Sequence, residues 1–139
     1  MLGPVASVQA QAELGPTGVD LQSAFTLRHQ GGGLSLCSCS LSARTPAELT
    51  VSGELGYVRM NTMFHRASSL TVSTAAGART IATPYLGNGY VHQALEAQRC
   101  LRAGLLESPL MPLDETLALM GVLDEVRTQI TLQYPADRH

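Results

Sequence analysis

The sequence predicts an α+β fold: an open, mainly antiparallel sheet of about six strands with two C-terminal helices on one face. Strand-like segments come first, two segments of helical period follow, and the connections between the strands are too short for parallel crossovers. The chain has 139 residues, 45% of them hydrophobic. This length and composition fit a single α+β domain over residues 1–139.

Alternation and glycine turns predict the first three strands. From Ala6 to Leu14, small and apolar residues alternate with polar ones, which is the pattern of a half-buried strand. After a Gly-Pro turn, a second strand is predicted over Asp20–His29 and a third over Gly33–Ala43. A run of three glycines separates these two strands and predicts a hairpin.

Three further strand segments are shorter. The run Glu48–Met60 is interrupted by Gly53 and Gly56, and this spacing predicts a tight turn or a bulge. Strands are also predicted over Ser69–Thr74 and Arg79–Thr83.

The end of the chain changes to helical period. A first helix is predicted from Tyr90 to Ala103, with Gly104 as its stop. A second begins near Leu113 or Asp114 and ends at Tyr134-Pro135. Its apolar stripe is formed by Leu119, Leu123, Val126 and Ile130, and Leu117 and Met120 widen it.

Charge is scarce and unevenly distributed among residue types. Charged residues make up 14% of the chain, against about 25% in a typical soluble domain. The net charge is −2 and all nine cations are arginine. The small negative balance argues against nucleic acid as a partner, and the absence of lysine excludes lysine-based chemistry within this chain.

Targeting and redox signals favour a cytoplasmic protein. No apolar run reaches the length of about 18 residues that a membrane-spanning helix needs, so no membrane association is predicted. The N-terminal segment lacks the layout of a signal peptide. Three cysteines are too few for a disulfide scaffold, which is consistent with a reducing compartment.

The sheet face away from the helices is predicted to be an interface. Its candidate residues are Ser, Thr, Ala, Cys and Leu rather than charged residues. In the third strand, Cys37 and Cys39 lie on one side, and Leu36 and Ser38 on the other. We interpret the uncharged face as the interface of a homodimer, the alternative being a neutral but hydrated face. Alternation does not decide which side faces outward.

Local motifs predict no catalytic, cofactor-binding or metal-binding residue. Cys37 and Cys39 lack the further ligands of a four-ligand site, and the segment 87–89 lacks the remainder of a phosphate-binding loop. The triplet Phe64-His65-Arg66 combines an aromatic ring, a titratable ring and a permanent cation. It fits a hydroxylated or anionic ligand, the alternative being an exposed loop with incidental charge.

A longer pattern resembles a known family. The segment Gly89–Pro109 contains a glycine, a short helix ending in Arg-Cys-Leu-x-x-Gly, and then Glu-Ser-Pro. Together with Met111–Thr116 and Leu123–Arg127, it resembles the Gfo/Idh/MocA oxidoreductases, in particular the dihydrodiol and xylose dehydrogenases. Val51–Met60 is similar to the Gly-x-x-Gly strand turn of that family.

The resemblance implies a part of a two-domain enzyme. Members have an N-terminal Rossmann domain that binds NAD or NADP and a C-terminal α+β domain for substrate binding and dimerisation, and this chain resembles the second. Neither a G-x-G-x-x-G motif nor the lysine of the family's Glu-Lys-Pro motif is present. We therefore expect no cofactor in this chain and no activity from it alone. A fragment of a longer dehydrogenase, or a misassigned gene start, explains the absences.

The resemblance and the strand-end positions together predict where a sugar or diol ligand would bind. The expected contact residues lie in two loops: Phe64, His65, Arg66, Tyr85, Asn88 and Tyr90. The alternative hypothesis is a stand-alone, non-enzymatic α+β module that dimerises or binds a small ligand.

Overall fold

The structure, a computed structural model, describes residues 2–134. The chain forms two compact units, one made of Met1–Thr45 with Pro109–His139 and the other of Pro46–Ser108. The strands are β1 (Val5–Leu14), β2 (Asp20–His29), β3 (Leu34–Ser40), β4 (Leu49–Gly53), β5 (Gly56–Met60), β6 (Ser69–Thr74) and β7 (Gly77–Ala82). The helices are α1 (Val91–Arg102) and α2 (Leu113–Gln129).

The first unit contains an antiparallel sheet in the order β1-β2-β3. The three predicted strands and the hairpin between β2 and β3 are confirmed. The third strand ends at Ser40 rather than at Ala43. The Ser40 hydroxyl oxygen accepts hydrogen bonds from the backbone N–H groups of Ser42 and Ala43, at 3.2 and 2.9 Å. This local turn takes the chain away from the sheet.

The core of this unit lies between the end of α2 and one face of the sheet. Val126, Ile130 and Leu132 are buried, and partly buried side chains of the sheet pack against them. Those sheet residues are Val8, Ala10, Ala12 and Phe25. The stripe predicted for the second helix therefore contacts the sheet only through its C-terminal part, since Leu119 and Leu123 remain 49% and 46% exposed.

The amide of Gln129 also holds α2 on the edge strand. Its Nε2 donates to the Val8 carbonyl and its Oε1 accepts from the Ala10 N–H, both at 2.9 Å. β1 is at the edge of the sheet, so these backbone groups face away from β2. The Gln129 side chain thus forms hydrogen bonds with two backbone groups that could otherwise bond to a neighbouring strand.

α2 ends earlier than predicted, at Gln129 rather than near Tyr134, while Pro135 lies outside the described residues. The Leu132 N–H donates to the Arg127 carbonyl and the Thr131 N–H to the Thr128 carbonyl. This is the Schellman closure, in which glycine is usual at the position held here by Thr131, with φ of 54°. The reversal returns Leu132 to the core.

The second unit contains an antiparallel sheet in the order β4-β5-β6-β7. The interrupted run Glu48–Met60 is a hairpin, because Gly53 pairs with Gly56 across a two-residue turn. β7 begins at Gly77, two residues before the predicted start, because Thr74 pairs with Gly77.

The α+β class is confirmed, but the predicted single sheet of about six strands is wrong. The described residues form seven strands in two sheets of three and four. The segment between β3 and β4 has no strand pairing, so β4 starts a new sheet with β5 as its partner. The predicted pair of helices on one face is likewise replaced by one helix in each unit.

The stop of α1 at Gly104 is confirmed. Gly104 has φ of 67°, and the Leu105 N–H donates to the Cys100 carbonyl at 2.9 Å. Beyond it, the connector is tied back to the helix by Glu96. The Glu96 carboxylate accepts two hydrogen bonds from Arg99 at 2.8 Å and one from the Ser108 hydroxyl at 2.6 Å. These donors lower the pKa of Glu96 to about 2, Arg99 contributing most.

We predict that Glu96 makes the stability of the protein depend on acidity. Its folded pKa is about 2, below the ordinary 4.5, so its contribution is present above pH 4.5 and is lost as the pH falls toward 2. Urea denaturation across this range should show a steeper loss in wild type than in Glu96→Gln. Glu48→Gln, at an exposed position of the same unit, should keep the wild-type slope. Equal slopes in wild type and Glu96→Gln would contradict the prediction.

We also predict that the two ends of α2 differ in their contribution to stability. Ile130, which follows the last residue of α2, is 8% exposed in the core, whereas Leu117, in the N-terminal half of α2, is 69% exposed. Ile130→Ala should lower the free energy of unfolding by about 2–4 kcal/mol, because a buried side chain is lost and a cavity remains. Leu117→Ala should change it by no more than about 0.5 kcal/mol. Urea midpoints with unchanged slopes measure both, and a larger loss in Leu117→Ala would contradict the packing.

Candidate functional site

The six predicted contact residues lie in two loops at the same end of the second sheet. One loop joins β5 to β6 and the other follows β7. Met60 at the end of β5 pairs with Leu70, and Leu70 pairs with Ile81 near the end of β7. The antiparallel register therefore brings both loops to the same end of the sheet.

Thr83 joins the two loops. Its backbone N–H donates to the Ser68 carbonyl and its hydroxyl donates to the Ala67 carbonyl, both at 2.8 Å. The start of the first loop is held as well, because the Phe64 N–H donates to the Ala47 carbonyl at 2.9 Å. Sequence reasoning missed Thr83, whose role depends on a pairing that no local pattern reports.

The first loop presents its triplet on a short 3₁₀ turn, Phe64–Arg66. Met63 immediately before it has φ of 67° and ψ of 52°, a left-handed conformation that is uncommon outside glycine. Such backbone strain is concentrated at functional sites. The rings of Phe64 and His65 meet edge to face with their centroids 5.8 Å apart. All three side chains of the triplet are exposed.

Gly89 lets the second loop approach the first. It has φ of 92°, and a Cβ built on it would lie 3.5 Å from the Arg66 Cβ and 3.8 Å from a Tyr85 ring carbon. Arg66 and Tyr85 therefore stand beside the same glycine. A side chain at position 89 would be strained by its backbone angles, and its Cβ would make ordinary van der Waals contact with these two neighbours.

Asn88 and Tyr90 are used differently from the other predicted residues. The Asn88 Oδ1 accepts from the Tyr90 N–H at 3.2 Å, a local turn that leads into α1. The Tyr90 ring is 64% exposed. Arg66 and Tyr85 thus both lie beside Gly89, whereas the Asn88 side-chain oxygen accepts a hydrogen bond from the backbone of its own loop.

The stretch of sequence that forms the site carries positive charge and no acid. From Leu55 to Leu95 the sequence contains three arginines and two histidines but no aspartate or glutamate. Arg59 lies over the Tyr57 ring, 5.5 Å from its centroid. Among residues 2–134, no carboxylate lies within ion-pairing distance of Arg66. This arrangement can donate hydrogen bonds and attract negative charge.

The cysteines do not extend the site. Cys37 lies on the sheet face that carries Phe25, and burial raises the pKa of its thiol, which disfavours the reactive thiolate. Cys100 is buried in α1. Within the described part of the chain, no group of three or more His, Cys, Asp or Glu residues is arranged to hold a metal ion.

The first sheet presents its other face openly, and this decides the side that sequence reasoning left undetermined. Phe25 and its partner Cys37 are on the face covered by α2, so Leu36 and Ser38 are on the opposite face. Leu34 and Leu36 there are 64% and 85% exposed. A shallow hollow of about 670 Å³ on this sheet includes Gln11, Thr26 and Ser38 in its lining.

A membrane span was not predicted, and none of the helices between residues 2 and 134 has the length and apolar character to cross a bilayer.

Relatives by sequence are trans-1,2-dihydrobenzene-1,2-diol dehydrogenases. The zebrafish protein (Danio rerio) is 29% identical over 136 residues, which cover 94% of this chain and 41% of that protein. The bovine protein (Bos taurus) is 32% identical over 132 residues, covering 88% of this chain and 39% of that protein. The chain thus spans about two fifths of the length of these relatives. No family model matches it.

Solved structures with a similar fold are oxidoreductases. An oxidoreductase from Agrobacterium radiobacter in complex with NAD⁺, L-tartaric acid and magnesium has a TM-score of 0.75 at 16% identity. The match covers 94% of this chain and 42% of that one. Levoglucosan dehydrogenase in complex with NADH and L-sorbose has a TM-score of 0.69 at 19% identity, covering 91% of this chain and 44% of that one.

The similarity to both groups runs along nearly the whole chain but along less than half of each relative. The resemblance predicted from the sequence is therefore confirmed: the chain is similar to the trans-1,2-dihydrobenzene-1,2-diol dehydrogenases along most of its length and corresponds to a part of these proteins.

Proposed function

We propose that this chain is the C-terminal, substrate-binding and dimerisation part of an NAD(P)-dependent sugar or diol dehydrogenase. The observation that carries the proposal is the joined pair of loops, in which Thr83 holds the Phe64–Arg66 turn against the segment containing Tyr85. The relatives of this chain are dehydrogenases of a diol, which supports a hydroxylated substrate.

The site chemistry suits a small hydroxylated molecule. Phe64 and Tyr90 offer exposed ring faces for the carbon skeleton, and Tyr85 and Arg66 offer polar groups for hydroxyl oxygens. Proteins of similar fold are bound to L-tartaric acid or L-sorbose, both rich in hydroxyl groups. We assign Phe64, His65, Arg66, Tyr85 and Tyr90 to ligand contact, and Asn88 to the border of the site.

Catalysis requires parts that these residues do not supply. Hydride transfer from an alcohol carbon to a nicotinamide requires a bound cofactor and a group that accepts the hydroxyl proton. The chain has neither a dinucleotide-binding motif nor a lysine. NAD⁺ and NADH are bound by the structural neighbours. We infer that the enzyme's cofactor is bound by a part that corresponds to the remaining three fifths of its relatives.

The open face of the first sheet supports dimerisation. On this face β3 carries exposed leucines and serines, and β1 and β2 carry glutamines and small residues. The charged residues Glu13 and Arg28 lie toward its two ends, so its centre is uncharged, as expected for a surface that a second copy covers. A standard interface buries about 800 Å² on each partner. The twofold arrangement places the same strands of both copies face to face.

We predict that the chain binds a small diol or sugar weakly but does not bind NADH. In calorimetric and NMR titrations, D-xylose should shift amide signals of the 61–68 and 83–90 loops, and NADH should produce neither heat nor shifts. Tyr85→Ala should remove the xylose response, whereas Tyr57→Ala, in β5, should retain it. Binding of NADH at low micromolar concentration, or unchanged xylose shifts in Tyr85→Ala, would contradict the proposal.

The dimer is predicted to depend on Ser38. Ser38→Asp places a carboxylate in the middle of the open face, and a twofold interface would bury it twice, at a cost of several kcal/mol. Light scattering should give a dimer for wild type and a monomer for Ser38→Asp. Thr17→Asp, in the exposed turn between β1 and β2, adds the same charge and should remain dimeric. A monomeric wild type would rule out this interface.

A further inference from the structure

We infer that the ligand site prefers a hydroxylated small molecule that carries an anionic group, a carboxylate or a phosphate, and that Arg66 binds this group. The inference rests on the proposed function and deepens it, because a sugar or diol dehydrogenase does not require an anionic substrate. It follows from the charge distribution around the two loops and from the position of Arg66.

The charge distribution is one-sided. Between Glu54 and Glu96 the chain contains no carboxylate side chain, although it forms three strands, both site loops and the start of α1. The same stretch carries Arg59, Arg66 and Arg79. The whole chain has a net charge of −2, so this positive stretch opposes the overall balance. A local excess of cations around a site raises the local concentration of an anionic ligand.

Arg66 is the cation of this stretch that the fold places in the site. Its Cβ lies beside Gly89 and next to Tyr85, so its side chain starts where the two loops meet. Arg59 is engaged with the Tyr57 ring, and Arg79 lies in β7, opposite Val72. Arg66 is exposed and has no ion pair among the described residues.

An unpaired guanidinium is suited to an oxyanion. Its planar set of N–H donors matches a carboxylate or a phosphate with two parallel hydrogen bonds, which are stronger than hydrogen bonds to a neutral hydroxyl. Neither loop contains an acidic side chain, and Glu48, which precedes the β4 residue paired with Met60, is not within ion-pairing distance of Arg66. The neighbouring Tyr85 hydroxyl and the Phe64 ring then contact the rest of the ligand.

The test compares three ligands that share one ring: D-glucose, D-glucuronate and D-glucose 6-phosphate. Each is titrated into the full chain at low ionic strength, with binding followed by NMR shifts of the two loops. We expect at least one anionic sugar to bind about tenfold more tightly than glucose and to weaken as salt is added. The relative affinities of glucuronate and glucose 6-phosphate identify the carboxylate or the phosphate as the preferred group.

Three variants make the test specific to Arg66. Arg66→Gln should abolish the tenfold preference, because it weakens the binding of the anionic sugars much more than that of glucose, and Arg66→Lys should restore part of the preference. Arg79→Gln removes one positive charge from the same stretch and should retain the preference.

The outcomes separate this inference from the proposed function. If glucose binds as tightly as both anionic sugars and Arg66→Gln changes none of the affinities, the inference is wrong and the sugar site remains. If none of the three sugars shifts the loops of the wild-type chain, the proposed function fails and the inference fails with it. If Arg79→Gln removes the preference as fully as Arg66→Gln does, the anion is held by general charge and the assignment to Arg66 is wrong.

Discussion

The contact between the end of α2 and the edge strand β1 organises the first unit. Val126 and Ile130 bury apolar surface against the sheet, and Gln129 between them binds two backbone groups of β1. Apolar burial supplies most of the attraction but has no direction, whereas the two hydrogen bonds fix the register of the helix on the strand. Because this contact covers one face, it leaves the face with Ser38 available to a partner.

The second unit uses its hydrogen bonds to join loops. Thr83 donates to the carbonyls of Ala67 and Ser68, and so the chain after β7 is held against the turn that precedes β6. In the middle of α1, Glu96 accepts a hydrogen bond from Ser108 and so holds the connector after the helix. Loops that are tied at their ends present side chains with a smaller loss of entropy on binding than free loops do. The proposed ligand site lies on loops of this kind.

Charge is the property that distinguishes the candidate site from the rest of the surface. The chain is poor in charged residues overall, yet its acids are missing from the whole stretch that forms the site. In water, an exposed arginine gains little from a distant carboxylate, so Arg66 remains available to a ligand. In the proposed function, cofactor chemistry and ligand selection belong to different parts of one enzyme.

The sequence by itself determined the elements that depend on local physics. Alternation located β1 to β3, glycine at position 104 stopped α1, and the residue pattern from Gly89 to Pro109 identified the relatives. Tertiary structure decided how these elements combine. Whether β4 joins the first sheet depends on backbone pairing between distant segments, and the early end of α2 depends on Leu132 returning to a core that forms only after folding. Likewise, the six predicted contact residues followed from strand-end positions and family resemblance, but the contacts of Thr83 and Gly89 that bring the two loops together required the register of the folded sheet.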